Sequence, residues 1–258
     1  MNDNEDQMKV FGDSHALTVA AGERFVELAK RAVAAHGLFT VALSGGSTPK
    51  ALYRLLATDK DLSDEIPWSK THFFFGDERH VPPEHPESNF RMASEAMFPV
   101  RRTEQLHVHR VLSELSDAAQ AAEEYEADLR DFFGPLELVE GEFPRFDLIF
   151  LGLGPDGHTA SLFPNSAALN ESSRWVVANW VEKFKTDRIT MTFPVLNAAA
   201  EVIVLVAGAE KAAIVSQVLG PQNDEVKFPI QRIRPRDGVK HWMLDHAAAE
   251  GIALGALS

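Results

Sequence analysis

The sequence predicts an α/β protein built on a largely parallel sheet covered on both faces. Three observations lead there. Several strands are continuous apolar runs, as in "LFTVAL", "FDLIFLGL" and "EVIVLVAG", and a strand with no polar side is buried on both faces. Helical periodicity alternates with these runs. Glycine-containing loops follow the strands, where open α/β sheets bind their ligands.

In chain order, Asp13-Ser14 caps a first helix whose Leu17, Ala21, Phe25, Leu28, Ala32 and Ala35 recur at spacings of three and four. Gly37 is placed to end it. "LFTVAL" follows as a strand, then the loop "SGGSTP", then a helix through "KALYRLLA" with Pro49 in its first turn. "THFFF" is the next strand and leads into the loop "GDERHVPP". "SNFRMASEAMF" is a helix capped by Ser88, and "DAAQAAEEYEADLRDFF" is a strong helix closed by Gly134. "FDLIFLGL", "RITMTFP" and "EVIVLVAG" are strands, "EKAAIVSQVLG" is a helix, and "HWMLD" is the last strand. The linker-like stretches "PLELVEGEFPR" and "PQNDEVKFPIQRIRPRDG" are too short to divide the chain. One domain over residues 1–258 is expected, with residues 1–9 as a flexible acidic N-terminus.

Composition narrows the functions. Hydrophobic residues make up 45% and charged residues 24%, as in an ordinary globular protein. The formal net charge of -13 disfavours nucleic acid and anionic membrane surfaces as partners. Without cysteine, thiol catalysis, disulfides and thiolate zinc sites are excluded. "MNDNEDQMKV" has no signal character, so a cytoplasmic location is expected.

The chemistry collects in four loops after four strands: Ser44–Pro49, Gly76–Pro83, Gly152–Ser161 and Gly208–Lys211. In "SGGSTPK", Gly45 and Gly46 allow close backbone approach, and Ser44, Ser47 and Thr48 add hydroxyl donors before a helix start. That suits a phosphate, and it equally suits a tight turn capped by Thr48. "GDERHVPP" brings Asp77, Glu78, Arg79 and His80 to a strand end, as polar machinery or as a surface ion pair. His80 and His85 are separated by prolines and do not predict a metal. His107 and His109 share a strand face without a third ligand nearby.

"GLGPDGHTAS" has the G-x-G-x-x-G order of a dinucleotide turn, but Asp156 opposes a pyrophosphate and Pro164 breaks the helix that should follow. It reads better as a proton-transfer loop, with His158 as base and Asp156 supporting the imidazole. Taken alone it also fits a capped turn. Arg188, opening "RITMTFP", and Lys211, at a helix start, supply positive charge for a phosphate.

"LSGGSTPKALY", "FFGDERHVPPEHPESNFRMA", "FDLIFLGLGPDGHTASLFP", "RITMTFPVLN" and "VAGAEKA", in this order from about Val10 to Asp245, resemble the 6-phosphogluconolactonases. These share a wider fold group with glucosamine-6-phosphate deaminase. The resemblance implies a Rossmann-like three-layer α/β/α fold, hydrolysis of 6-phospho-D-glucono-1,5-lactone in the oxidative pentose phosphate pathway, and no metal or organic cofactor. It implies His158 as general base, Ser44, Gly45, Gly46, Ser47 and Thr48 as the phosphate loop, and Lys211 and Arg188 as phosphate-binding cations. Asp77 and Arg79 match active-site positions. In the deaminases the D-G-H turn leads to a Glu that assists ring opening; Phe163 stands there here, which favours the lactonases. A small phosphosugar lactone is the expected partner, with the chain a monomer or small homo-oligomer. A non-catalytic sugar-phosphate sensor would have no use for Asp156 and His158, and a dinucleotide-dependent oxidoreductase would bind NAD.

Overall fold

The computed structural model describes residues 6–98, 106–134, 142–221 and 223–252. The chain begins with β1 (Gln7–Phe11), α1 (Ser14–His36), β2 (Phe39–Leu43), α2 (Ser47–Thr58) and the short α3 (Lys60–Ser63). β3 (Thr71–Phe75), β4 (Asp77–Arg79), α4 (Asn89–Met97), β5 (His107–Val108) and α5 (Ala118–Phe133) follow. The second half holds β6 (Leu148–Gly152), β7 (Val176–Val181), β8 (Thr186–Met191), α6 (Phe193–Leu196), β9 (Glu201–Val206), α7 (Ala212–Val218), β10 (Val239–Asp245) and α8 (His246–Ala249).

Seven strands form one sheet in the order β1-β10-β9-β6-β2-β3-β5, with every pairing parallel. Period-two alternation sends successive side chains to opposite faces. Phe73, Phe75, Leu148, Phe150, Ile203 and Leu205 pack against α1, α2 and α4. Phe74, Ile149, Leu151, Val202 and Val204 pack against α5, α7 and the strands β7 and β8. Two apolar cores sandwich the sheet, which explains why its strands carry no polar face.

The predicted caps form. The Asp13 side chain accepts from Ala16 N and begins α1, and Ser88 accepts from Arg91 N and begins α4. Gly37, at φ 89°, ends α1 in the left-handed region. Gly134 ends α5 in right-handed geometry.

Four expectations need correction. Residues 7–9 are not a free tail: they lie in β1, an edge strand paired with β10. "DER" is a strand, not a loop, and pairs antiparallel with β8 in a second sheet ordered β4-β8-β7. β7 was unexpected because its polar Asn179 and exposed Trp180 hide the strand signal. Arg188 is the third residue of β8 and does not open it. Part of the first linker-like stretch, residues 135–141, lies outside the described residues. Among them no helix is long and apolar enough to cross a membrane.

Candidate active site

The sheet order reverses between β2 and β6. From β2 the chain builds outward through β3 and β5; from β6 it builds the other way through β9 and β10. The loops after β2 and β6 diverge at this switch point and leave a crevice beyond the strand ends. A cavity of about 220 Å³ occupies it. Its wall includes Ser44, Gly45, Gly46, Ser47, Thr48, Asp77, Arg79, Asn89, His158, Thr159 and Lys211. Nine of the eleven proposed site residues therefore meet in one place. Asp156 and Arg188 stand one layer back.

The loop after β2 runs directly into α2. Gly46, at φ 111°, takes the N-cap position with no side-chain cap, so Thr48 does not cap this helix. The first-turn N–H groups are left pointing outward, where the helix dipole favours an anion. Tyr53 holds the loop from below: its hydroxyl accepts from Ser44 N and donates to Ser44 O, both at 2.9 Å. Ser44 Oγ is buried and has no hydrogen-bond partner among the described residues, an available donor beside those N–H groups. Lys211 stands in a 3-10 turn ahead of α7 and donates from Nζ to Leu153 O at 2.7 Å. That contact carries its ammonium across the crevice to the loop after β6.

The loop after β6 presents the imidazole. Gly157 adopts φ 81°, and Gly154 N donates to His158 O at 2.8 Å, so the chain doubles back within five residues. His158 Nδ1 is hydrogen-bonded to Asp156 Oδ1, and its ring stacks on Phe163 at 4.0 Å between centroids. No hydrogen bond engages Nε2 among the described residues. Burial alone would push the Asp156 carboxyl up; the hydrogen bond and charge of His158, with Lys183 Nζ at 3.4 Å, override it and hold the group well below the usual carboxylate range. An ionised carboxylate on Nδ1 fixes the tautomer whose Nε2 accepts a proton.

The third wall comes from β4. Its alternation puts Asp77 and Arg79 on the cavity side and turns Glu78 inward, where it is buried. Asp77 accepts from Ser161 Oγ at 2.6 Å and from Asn89 Nδ2 at 3.3 Å. Arg79 donates to Glu87 O and is the cross-strand partner of Arg188. Burial, with the neighbouring Arg79 guanidinium, lowers the Arg188 pKa, and Arg188 Nε is buried without a hydrogen-bond partner among the described residues. Two adjacent guanidiniums therefore make a positive corner opposite Lys211.

The other histidine expectations resolve as structural contacts. His80 Nε2 lies 2.7 Å from Leu115 O, and His85 Nδ1 accepts from Glu87 N at 3.2 Å. His107 stacks on His72 from β3, and His72 Nδ1 lies 3.2 Å from His109 Nε2. Burial, then the two neighbouring rings, push His72 down to about 4. Among the described residues no group of three or more His, Cys, Asp or Glu is arranged to hold a metal.

Residues 12–242 match the family model described as glucosamine-6-phosphate isomerases/6-phosphogluconolactonase. The chain belongs to that family. A 6-phosphogluconolactonase from Nostoc is 39% identical, with the match covering 96% of this chain and 98% of the relative. One from Synechocystis is 41% identical over 86% and 88% of the two chains. The 6-phosphogluconolactonase structure from Trypanosoma cruzi superposes with a TM-score of 0.81 at 32% identity, covering 96% of this chain and 97% of that one. Within this family frame, sequence reasoning missed Asn89, Ser161 and Tyr53. Asn89 and Tyr53 lie on helices whose apolar periodicity carries the local signal, and Ser161 follows the His158 turn. Reading "DER" as a strand would have separated Glu78 from Asp77 and Arg79 by period two.

Proposed function

We propose that this protein hydrolyses 6-phospho-D-glucono-1,5-lactone to 6-phospho-D-gluconate, the lactonase step of the oxidative pentose phosphate pathway. The observation that carries the reading is the Asp156–His158 pair, with an unengaged Nε2 on the imidazole, across one cavity from an uncapped helix N-terminus. Relatives named 6-phosphogluconolactonase at 39% and 41% identity support the same reaction.

In the mechanism we assign, the phosphate docks on Ser44, Gly45, Gly46, Ser47 and Thr48, with Lys211 adding a charged donor; Arg188, expected there as a second cation, is outside the cavity lining beside Arg79 and is given a different part. Anchoring this remote end holds the lactone carbonyl near His158, a positioning effect. His158 Nε2 takes a proton from water as the oxygen attacks the carbonyl carbon. The tetrahedral oxyanion is stabilised by Arg79 or by backbone N–H groups, with Arg188 adding positive potential from behind. When the C–O bond to the ring oxygen breaks, the imidazolium returns its proton to that oxygen. Asp156 stays ionised throughout and supports the imidazolium.

The deaminase alternative is disfavoured by Phe163. Where ring opening would want a carboxylate, this chain places an aromatic ring stacked on the imidazole. A sensor would leave the Asp156–His158 pair idle. We place this enzyme in the cytoplasm as a monomer or small homo-oligomer, supported by a net charge of -13 that disfavours membrane and nucleic-acid surfaces.

The deciding experiment generates the lactone in place from glucose 6-phosphate and follows its disappearance with and without the protein. Acceleration over spontaneous hydrolysis is expected; binding without turnover would return the sensor reading. Lys211→Ala is expected to raise KM about 10-fold or more, the cost of one charged hydrogen bond to the phosphate, with a smaller change in kcat. An unaltered KM would remove Lys211 from the phosphate site.

A further inference from the structure

A carboxylate that faces a phosphate-binding cavity needs a reason to be there, and Asp77 is held on both oxygens. Ser161 Oγ donates to Oδ2 at 2.6 Å, and Asn89 Nδ2 donates to Oδ1 at 3.3 Å and to the Asp77 carbonyl at 2.9 Å. Asn89 is 2% exposed and opens α4. Beneath it, Glu78 accepts from four donors: Arg79 N and Asn89 N on Oε1, Ser88 Oγ and Phe90 N on Oε2, at 2.7–3.0 Å. This buried carboxylate clamps β4 to the start of α4 and fixes where the Asn89 amide points.

The other end of that amide meets the phosphate loop. A Cβ on Gly45 would lie 2.0 Å from Asn89 Oδ1. Any side chain at Gly45 would displace the amide, so the loop and α4 approach as closely as they do only with glycine there. One side chain thus touches both the anchor for the phosphate and the carboxylate beside the reacting end.

We infer that Asn89 is a positioning residue that holds the phosphate loop and the Asp77 carboxylate in fixed register, so that a lactone anchored by its phosphate meets Asp77 and His158 at one geometry. This rests on the lactonase reading. The amide suits the task because its donor face satisfies Asp77 while its carbonyl face packs on Gly45; a carboxylate or a methyl group cannot do both. Asp77, so held, keeps lone pairs free for a sugar hydroxyl.

The test uses Asn89→Asp, Asn89→Ala and Asn89→Ser in the full chain, with circular dichroism confirming the fold. Near neutral pH, kcat/KM is expected to fall about 10–100-fold for Asn89→Asp, the scale of an ångström-sized misplacement, with most of the loss in kcat. Inhibition by inorganic phosphate should change little in Asn89→Ala and Asn89→Ser, because these neutral variants leave the phosphate loop its N–H groups. The charged and titratable groups around this corner are Asp77, Glu78 and Arg79 from β4, Glu87 ahead of α4, Tyr53 from α2, Arg110 after β5, Arg188 from β8, Lys211 ahead of α7 and His158 from the loop after β6. Two facing carboxylates resist ionising together, so Asn89→Asp should regain activity relative to wild type as pH falls and a shared proton restores the donor. Asn89→Ala should be impaired equally at all pH values, and Asn89→Ser, which keeps a donor, should fall between it and wild type. The inference is overturned if any folded variant keeps kcat/KM within about twofold of wild type, or if Asn89→Asp follows the wild-type pH profile. Should wild type bind 6-phospho-D-gluconate without turning over the lactone, the lactonase reading fails, and calorimetry with 6-phospho-D-gluconate decides the Asn89 assignment: weakened binding in Asn89→Asp supports it, and unchanged binding refutes it.

Discussion

His158→Ala is expected to lower kcat/KM for the lactone by about 10²–10⁴-fold, the usual worth of a positioned general base, after correction for spontaneous hydrolysis. Asp156→Asn should lose activity by the same route, because an amide on Nδ1 no longer enforces the tautomer whose Nε2 is basic. The double variant should be little worse than His158→Ala alone, since the two side chains act as a unit. The pH profile separates them. Asp156 has a depressed pKa, so it is already ionised above its unfolded value near 3.9 and stays so through neutrality. It therefore contributes no kinetic limb between about pH 5 and 8. Its contribution to stability has the same sign: present above about pH 3.9 and lost as pH falls through the folded value. Unchanged lactone hydrolysis in His158→Ala would remove this residue from the chemistry.

Much of this architecture was legible because it is locally encoded. Continuous apolar strands announced a sheet buried on both faces, and Asp13 and Ser88 announced helix starts through short-range hydrogen bonds. The glycine loop after β2 and the His158 turn were readable because glycines and polar residues stood together right after strands. β1, β4 and β7 were not readable. β1 is an edge strand of mixed exposure, β4 has three residues, and β7 carries polar positions, so each depends on partners distant in sequence. The role proposed for Asn89 is of the same kind. Its partners Gly45 and Asp77 lie 44 and 12 residues away, and only the packing of α4 against α2 and β4 brings them together.

The switch point also explains how an acidic protein handles an anionic substrate. Three positive groups line the crevice, Lys211 after β9, Arg79 on β4 and the N-terminus of α2, and Arg188 of β8 stands behind them as the cross-strand partner of Arg79. Overall charge sets which surfaces repel the protein, while a few oriented donors in a crevice set what binds.

Gly154→Ala is expected to cost activity out of proportion to stability. Gly154 does not use a left-handed backbone angle, so alanine fits the local chain. The obstacle is the imidazole: a Cβ here would sit 2.0 Å from His158 Nδ1 and Cε1. The ring can relieve this clash by rotating away, because it is a terminal side chain and not a packed strand. That rotation breaks the bond to Asp156 and lifts the ring from Phe163. Displacement by about 1 Å is enough to lose about 10²-fold in rate, so kcat/KM should approach the His158→Ala value. Thermal denaturation should meanwhile show only a modest change, since the sheet cores are untouched. Gly134→Ala serves as the control: that helix-end glycine has right-handed angles, and among the described residues nothing lies within 4 Å of a Cβ placed there, so its variant should keep full activity. If Gly154→Ala instead keeps wild-type kcat/KM, the imidazole does not depend on this close approach. The second glycine of the G-x-G-x-x-G pattern would then have no part in presenting the base. If activity falls as expected, that glycine makes room for the histidine and needs no dinucleotide to explain it.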